Sequence, residues 1–191
     1  MRASAGRRVV VQPLGPGSAP LAAPVSRALS SFYDLDVTVA QVEPLPSAAY
    51  YAARSRYRAE RLLEHLSGHA SDAFRVLGVT ATDISTTKGN VADWGILGLA
   101  SIDGRTCVLS SFRCYRSARD SRHATARLGK TAVHELGHTL GLEHCSTRGC
   151  LMQDGGGTVL TTDGERDLCS VCRGKLSAGG FLRAGRQSPW V

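Results

Sequence analysis

Between His134 and Cys172 the chain concentrates residues that bind metals and move protons. The run AVHELGHTLGLEHC sets His134, Glu135, His138, Gly141 and His144 in the order H-E-x-x-H-x-x-G-x-x-H. On a helix, His134 and His138 lie one turn apart on the same face, so both imidazoles reach one metal ion. Glu135, beside the first histidine, is placed to address a water at the metal rather than the metal itself. A continuing helix would carry His144 round to another face. Gly141 has no Cβ, can take the left-handed conformation that ends a helix, and so returns His144 to the pair. Three neutral histidines with one position left open are the ligand set of a catalytic zinc.

Cys145 follows His144 directly, and Cys150, Met152, Cys169 and Cys172 come after it. Cys169-Ser170-Val171-Cys172 is a C-x-x-C knuckle, and with Cys145 and Cys150 it supplies four thiolates for a closed tetrahedral zinc. Neighbouring Cα atoms are ~3.8 Å apart, so the side chains of His144 and Cys145 diverge and serve different metals. Two Zn²⁺ per chain are expected, one catalytic and one structural. Two disulfides or four unrelated thiols are the competing readings of the cysteines. A zinc on Cys145 and Cys150 would pin the turn that presents His144 and fix Met152 beneath the histidines.

The extended histidine pattern followed by Met152 is the metzincin signature. With a cysteine after the third histidine and a four-cysteine set, HELGHTLGLEHC–TRGC–LM–CSVC resembles the archaemetzincins. The resemblance continues more weakly through GVTATDIS, ILGLAS and VLSSFR, and covers residues 8 to 180. One departure is the spacing from Met152 to Cys169, one residue shorter than the family's, in a stretch where Gly155, Gly156 and Gly157 can absorb it. The resemblance implies an α+β fold, with a twisted and mostly parallel sheet of about five strands and one antiparallel edge. A backing helix, an active-site helix and a small zinc-stabilised C-terminal part complete it. It further implies that Ile96, Leu97, Gly98, Leu99 and Ala100, on to Ser101, form the edge strand above the cleft, where an extended peptide can pair. Met152 is then an apolar floor and not a ligand. Family members described as aminopeptidases imply small substrates or peptides. Some metzincins place a tyrosine just after the methionine to assist the oxyanion. Gln153 and Asp154 stand here instead, so slow turnover is expected.

The elements that must position these groups are partly legible. Arg8 to Leu14 reads as a buried strand, Pro24 to Phe32 as a helix and Asp36 to Val42 as a second strand. Ala48 to Leu66 reads as one helix. Phe74 to Thr80, Gly95 to Ser101 and Thr106 to Phe112 read as strands, with Asp103-Gly104 turning between the last two. Strand–helix–strand order gives parallel pairing and the hairpin adds an antiparallel member. His65 and His69 are four apart, but no third ligand is near them in sequence, so they read as a solvated helix end. Asp83, Asp93 and Asp103 read as turn residues. The arginines from Arg113 to Arg127 read as a basic, solvated connection or the rim of a cleft. Residues 1 to 7 read as a frayed terminus, and Leu176, Phe181 and Leu182 as an apolar segment before a polar tail ending in Trp190.

At 191 residues, 42% hydrophobic and 20% charged, the chain reads as one ordinary globular catalytic domain. Residues 8–144 would carry the sheet and active-site helix, 145–182 the cysteine site and methionine turn, and 183–191 the tail. The formal charge is +7, and of the basic residues only Lys88, Lys130 and Lys175 are lysines. Two Zn²⁺ and four thiolates cancel, leaving that balance unchanged. Cys107 and Cys114 read as reduced thiols. The basic start has too short an apolar run for a signal peptide, and no stretch approaches a membrane span. A cytoplasmic monomer is therefore expected, acting on peptide or protein, with no membrane and no nucleic-acid partner.

A zinc-dependent metallopeptidase accounts for these residues best. A catalytically idle zinc scaffold that grips peptides would have no use for Glu135. A nucleic-acid-binding zinc module would explain the cysteines and the charge, but not three histidines and a glutamate in hydrolytic order.

Overall fold

The computed structural model describes residues 7–186, 188 and 190. Residues 1–6 of the expected frayed terminus, and 187, 189 and 191 of the expected tail, lie outside the described residues. In chain order the elements are β1 (Arg8–Leu14), α1 (Ala19–Phe32), β2 (Asp36–Val39), β3 (Tyr50–Tyr51), β4 (Arg56–Arg58), α2 (Ala59–Ser67), β5 (Arg75–Thr80), β6 (Ile84–Lys88), β7 (Val91–Ile96), β8 (Gly98–Ala100), β9 (Thr106–Ser110), α3 (Phe112–Tyr115), α4 (Ser121–Thr139), α5 (Leu160–Gly164) and α6 (Ser170–Ala178).

The main sheet runs β2-β1-β5-β9-β8, and its one antiparallel pair is β8 with β9. This is the mixed sheet that the strand–helix–strand order predicts. Its central strands are buried on both faces, so each reads as a continuous apolar run whose alternate residues go opposite ways. Val9, Val11, Leu77, Val79, Cys107 and Leu109 face one core, which α1 and α4 cover. Val10, Val76 and Val108 face the other, where Leu62 and Leu66 of α2 pack. Leu151, Met152, Leu168, Cys172 and Leu176 join the first core, so the cysteine-bearing segment packs into the same apolar cluster as α4.

Several expectations need correction. α1 begins at Ala19, ahead of Pro24, because Pro20 stands in the first turn and Pro24 forfeits only the bond to the carbonyl of residue 20. The single helix expected from Ala48 is instead β3, a left-handed Ser55 at φ 50°, β4 and then α2. Tyr50 and Tyr57 pair across β3 and β4 with ring centroids 5.3 Å apart, a cross-strand contact that helical spacing cannot reproduce.

A second sheet, β3-β4-β6-β7, was not legible. The sequence of β6, ISTTK, carries one apolar residue, and the turn into β7 rests on Gly89 at φ 57°. This sheet also corrects the expected edge strand. Ile96 closes β7 and pairs with Ile84, while Leu97 spans the gap between the sheets. The edge of the main sheet is Gly98, Leu99 and Ala100, paired with Leu109, Val108 and Cys107.

Asp103 does sit in a turn, at φ 52°, but Asp83 and Asp93 are not turn residues. Asp83 binds Arg56 and Arg113, and Asp93 binds Arg54 and Arg56. Nor is the basic connection wholly solvated. Arg127 is 1% exposed, forks onto Asp163 at 2.7 and 2.8 Å, and donates to the carbonyls of Cys114 and Arg116. Arg127 therefore ties α4 to α3 and α5. Trp190 of the expected polar tail stacks near Phe32 and donates its indole N–H to the Arg166 carbonyl. Among the described residues, no helix is long and apolar enough to cross a membrane.

Candidate active site

α4 is capped by Asp120, whose carboxylate accepts from the His123 N–H at 2.7 Å, and it ends one residue past His138, with His134 one turn earlier. Its C-terminus closes as the glycine predicts. Gly141 has φ 86°, its N–H donates to the His138 carbonyl, and the Leu142 N–H donates to the Gly137 carbonyl. These paired bonds form a Schellman stop. The chain then reverses and brings His144 back, with its ring centroid 5.4 Å from His134 and 4.8 Å from His138.

Both helical imidazoles are oriented by backbone carbonyls. His134 Nδ1 donates to Leu151 O at 2.7 Å and His138 Nδ1 donates to Leu142 O at 2.6 Å. A carbonyl only accepts, so each Nδ1 carries the proton and each Nε2 keeps its lone pair. The two Nε2 atoms stand 3.0 Å apart, and each of the three histidines offers a ring nitrogen within 4.8 Å of the others. Desolvation in the cleft, with the His138 ring second, lowers His134 to about 3, and burial likewise lowers His138. Both rings are thus neutral near pH 7, the form that ligates. Two nitrogens on a tetrahedral zinc, each at ~2.0–2.1 Å, stand ~3.3 Å apart, so the three imidazoles fit such an ion.

Glu135 is 6% exposed, and burial alone pushes its carboxyl up to about 8, with no partner pulling it down. A dication beside it would pull it back. Met152 is fully buried, and its sulfur stands 2.8 Å from where a Cβ on Gly137 would lie. The glycine between the two histidines thereby lets the methionine close against the helix, next to the turn that holds His134.

The cysteines assemble apart from the histidines. Cys145, Cys150, Cys169 and Cys172 each bring a sulfur within 4.8 Å of the others, and Cys145 and Cys169 are 3.7 Å apart. All six cysteines are free, as expected of Cys107 and Cys114. Four sulfurs at ~2.3 Å from a tetrahedral zinc are ~3.8 Å apart, so this set fits as well. The Cys172 N–H, in the first turn of α6, holds the Cys169 thiol down at about 6. His144 and Cys145 do diverge, one toward each group.

A cleft of about 560 Å³ opens beside His134, Glu135 and His144. Ile96, Leu97, Gly98 and Leu99 line it together with those three side chains and with Gln153, Asp154 and Glu165. The model of peptidase family M54 matches residues 32–177. The chain belongs to that family.

Relatives and solved structures agree along nearly the whole length. The archaemetzincin of Halobacterium salinarum is 36% identical over 174 residues, covering 87% of this chain and 97% of its own. The crystal structure of the archaemetzincin from Archaeoglobus fulgidus superposes with a TM-score of 0.76 at 30% identity, covering 88% of this chain and 99% of that one. The one from Methanopyrus kandleri gives 0.77 at 28% identity, covering 93% and 98%. Membership in M54 makes the chain a zinc metallopeptidase, as the histidine and cysteine patterns predict, with the archaemetzincin fold.

Within this M54 site, some contributors were not legible. The carbonyls of Leu142 and Leu151 carry no residue-type signal. Arg113, Thr131 and Glu165 line the cleft from distant parts of the chain. Gln153 ties the cysteine turn to the methionine turn, because its side-chain oxygen accepts from the Gly149 N–H at 3.0 Å. Gly98 did carry a signal, because an isolated glycine within a strand marks a close approach. A Cβ there would stand 2.5 Å from Glu135 Oε1 and 2.6 Å from its Cγ and Cδ. Gly98→Ala is therefore expected to push Glu135 aside while leaving the three histidines and the four clustered cysteines untouched. A misplacement of ~1 Å costs ~100-fold in rate. Peptidase assays with metal analysis check this; full activity would show that the strand yields instead.

Proposed function

We propose that peptide bonds are hydrolysed in this cleft, with His134, His138 and His144 holding a catalytic zinc. In the same reading Cys145, Cys150, Cys169 and Cys172 hold a structural one. The observation that carries it is the convergence of three imidazoles, two with Nε2 left free by carbonyl-bound Nδ1 atoms, beside a buried carboxylate without a partner.

The ion, when bound, supplies Lewis acidity that activates water and polarises the scissile carbonyl. Glu135 accepts the proton of the attacking water and delivers it to the leaving nitrogen. Desolvation of its carboxylate raises its basicity for the first transfer and its readiness to hold the proton for the second. The backbone of Gly98, Leu99 and Ala100 lies at the free edge of the main sheet and pairs with an extended substrate. Leu142 and Leu151 keep the imidazoles in one tautomer. Met152 closes the floor.

Both ligand sets are complete within one chain, so the reading needs no second subunit and takes a monomer as the working unit. Six free thiols, four of them gathered as for a metal, support a reducing, cytoplasmic location. Small peptides, trimmed from the amino terminus, are the proposed substrates. Cleavage of a diverse peptide library, with a chelated control, tests this: products cut only internally would remove the aminopeptidase reading.

Metal analysis of protein purified under reducing conditions is expected to return two zincs per chain. One zinc, with Cys145, Cys150, Cys169 and Cys172 all open to a thiol probe, would remove the structural ion from the scheme.

A further inference from the structure

Glu43, His65 and His69 meet at the end of α2, the helix covering the sheet face opposite α4. The sequence offers His65 and His69 no third ligand nearby, and folding supplies one from the segment after β2. Glu43 is held at its backbone: its N–H donates to Pro13 O at 3.0 Å, and its carbonyl accepts from Gly15 N–H at 2.7 Å. The carboxylate is thus presented to the histidines from a backbone tied to β1.

The hydrogen bonds within the cluster leave a conflict. His69 Nδ1 lies 3.1 Å from the His65 carbonyl, which can only accept, so Nδ1 carries the proton. His69 Nε2 then directs a lone pair at Glu43 Oε1, 3.0 Å away. His65 Nε2 stands 3.4 Å from Glu43 Oε2. Two acceptors at such distances repel unless they share a cation. A proton shared between ring and carboxylate removes that repulsion, and so does a metal ion that takes both lone pairs.

We propose that Glu43, His65 and His69 form a third metal site, for a borderline divalent transition ion such as Zn²⁺. Their donor atoms all lie within 4.8 Å of one another; His65 stands in the last turn of α2 and His69 two residues past its end, with ring centroids 5.0 Å apart. Two imidazoles and a single carboxylate suit zinc or its neighbours; calcium and magnesium require more oxygen donors. All three side chains are about one-third exposed, so water completes the coordination and the ion exchanges with solvent. Binding staples the end of α2 to the β2–β3 connection. Because the unfolded chain lacks the arrangement, the ion stabilises the folded state by mass action.

The test starts from protein whose zinc content has first been measured, dialysed at pH 8, where most histidines have lost their second proton. Zn²⁺ is titrated in by calorimetry, and melting temperature is followed with and without it. The parent is expected to take one further equivalent and to melt higher. His65→Gln/His69→Gln should lose affinity by more than the ~10–100-fold that partners outside the ligand set are worth, and should lose the zinc-dependent rise in melting. Glu43→Gln preserves size and checks the same point should the double variant fold poorly. No further equivalent in the parent would mean that a shared proton holds the cluster, and would overturn the site. An equivalent retained undiminished in both variants lies elsewhere and overturns it too. The starting zinc content is read beforehand, so failure here leaves the α4 assignment standing.

Discussion

Glu135→Gln is expected to retain fold and metal content and to lose turnover by ~10²–10⁴-fold, the usual worth of a positioned acid–base group. The amide matches the carboxylate in size, so Gly98 still accommodates it and no core contact is lost. It cannot take the proton of the attacking water. Asp154 and Glu165 also line the cleft, but Asp154 accepts from the Gly156 N–H at 2.9 Å and Glu165 lies beside Lys130, whereas Glu135 has no such partner. The loss should fall on kcat rather than KM, because Glu135 is assigned a part in the transition state and none in gripping the peptide. Zinc stoichiometry, melting temperature and kcat are the three measurements. A variant as fast as the parent would falsify proton transfer by Glu135.

Cys150→Ser is expected to damage catalysis without touching a catalytic group. Between His144 and Met152 the chain makes a tight double turn. The Cys145 N–H donates to Met152 O at 2.7 Å, the Leu151 N–H to Asp167 O at 3.0 Å, and the Cys169 N–H approaches the Cys150 sulfur at 3.3 Å. The same turn supplies the Leu151 carbonyl that orients His134. A serine hydroxyl is a poor substitute for a thiolate on zinc. Structural zinc in small domains is worth ~10–16 kcal/mol of apparent binding energy near neutral pH, so weakening it frees the turn. His144, the orientation of His134 and the methionine floor should all loosen together. The variant is expected to melt lower, to lose the cysteine-bound zinc, and to hold the other more weakly. Full activity with one zinc missing would show the two sites to be independent.

The sequence by itself determined the chemistry. H-E-x-x-H needs only the helical repeat to align His134 with His138, and Gly141 needs only its missing Cβ to end the helix. Both are local facts, and both appear in the structure. The central strands were legible for a related reason, since burial on both faces leaves continuous apolar runs such as Val9, Val10 and Val11. Tertiary structure alone decided whatever depends on partners far along the chain. Tyr50 and Tyr57 became strands through pairing that outweighed their helical surroundings, and ISTTK became a strand because β4 and β7 flank it. Asp83 became an ion-pair centre because Arg56 and Arg113 arrive from opposite directions. His65 and His69, solvated if judged by their neighbours in sequence, face Glu43 because β1 holds the residues after β2 in place. A spacing rule reports which residues share a turn of helix. It carries no information about which carbonyl or carboxylate the rest of the chain will fold against them.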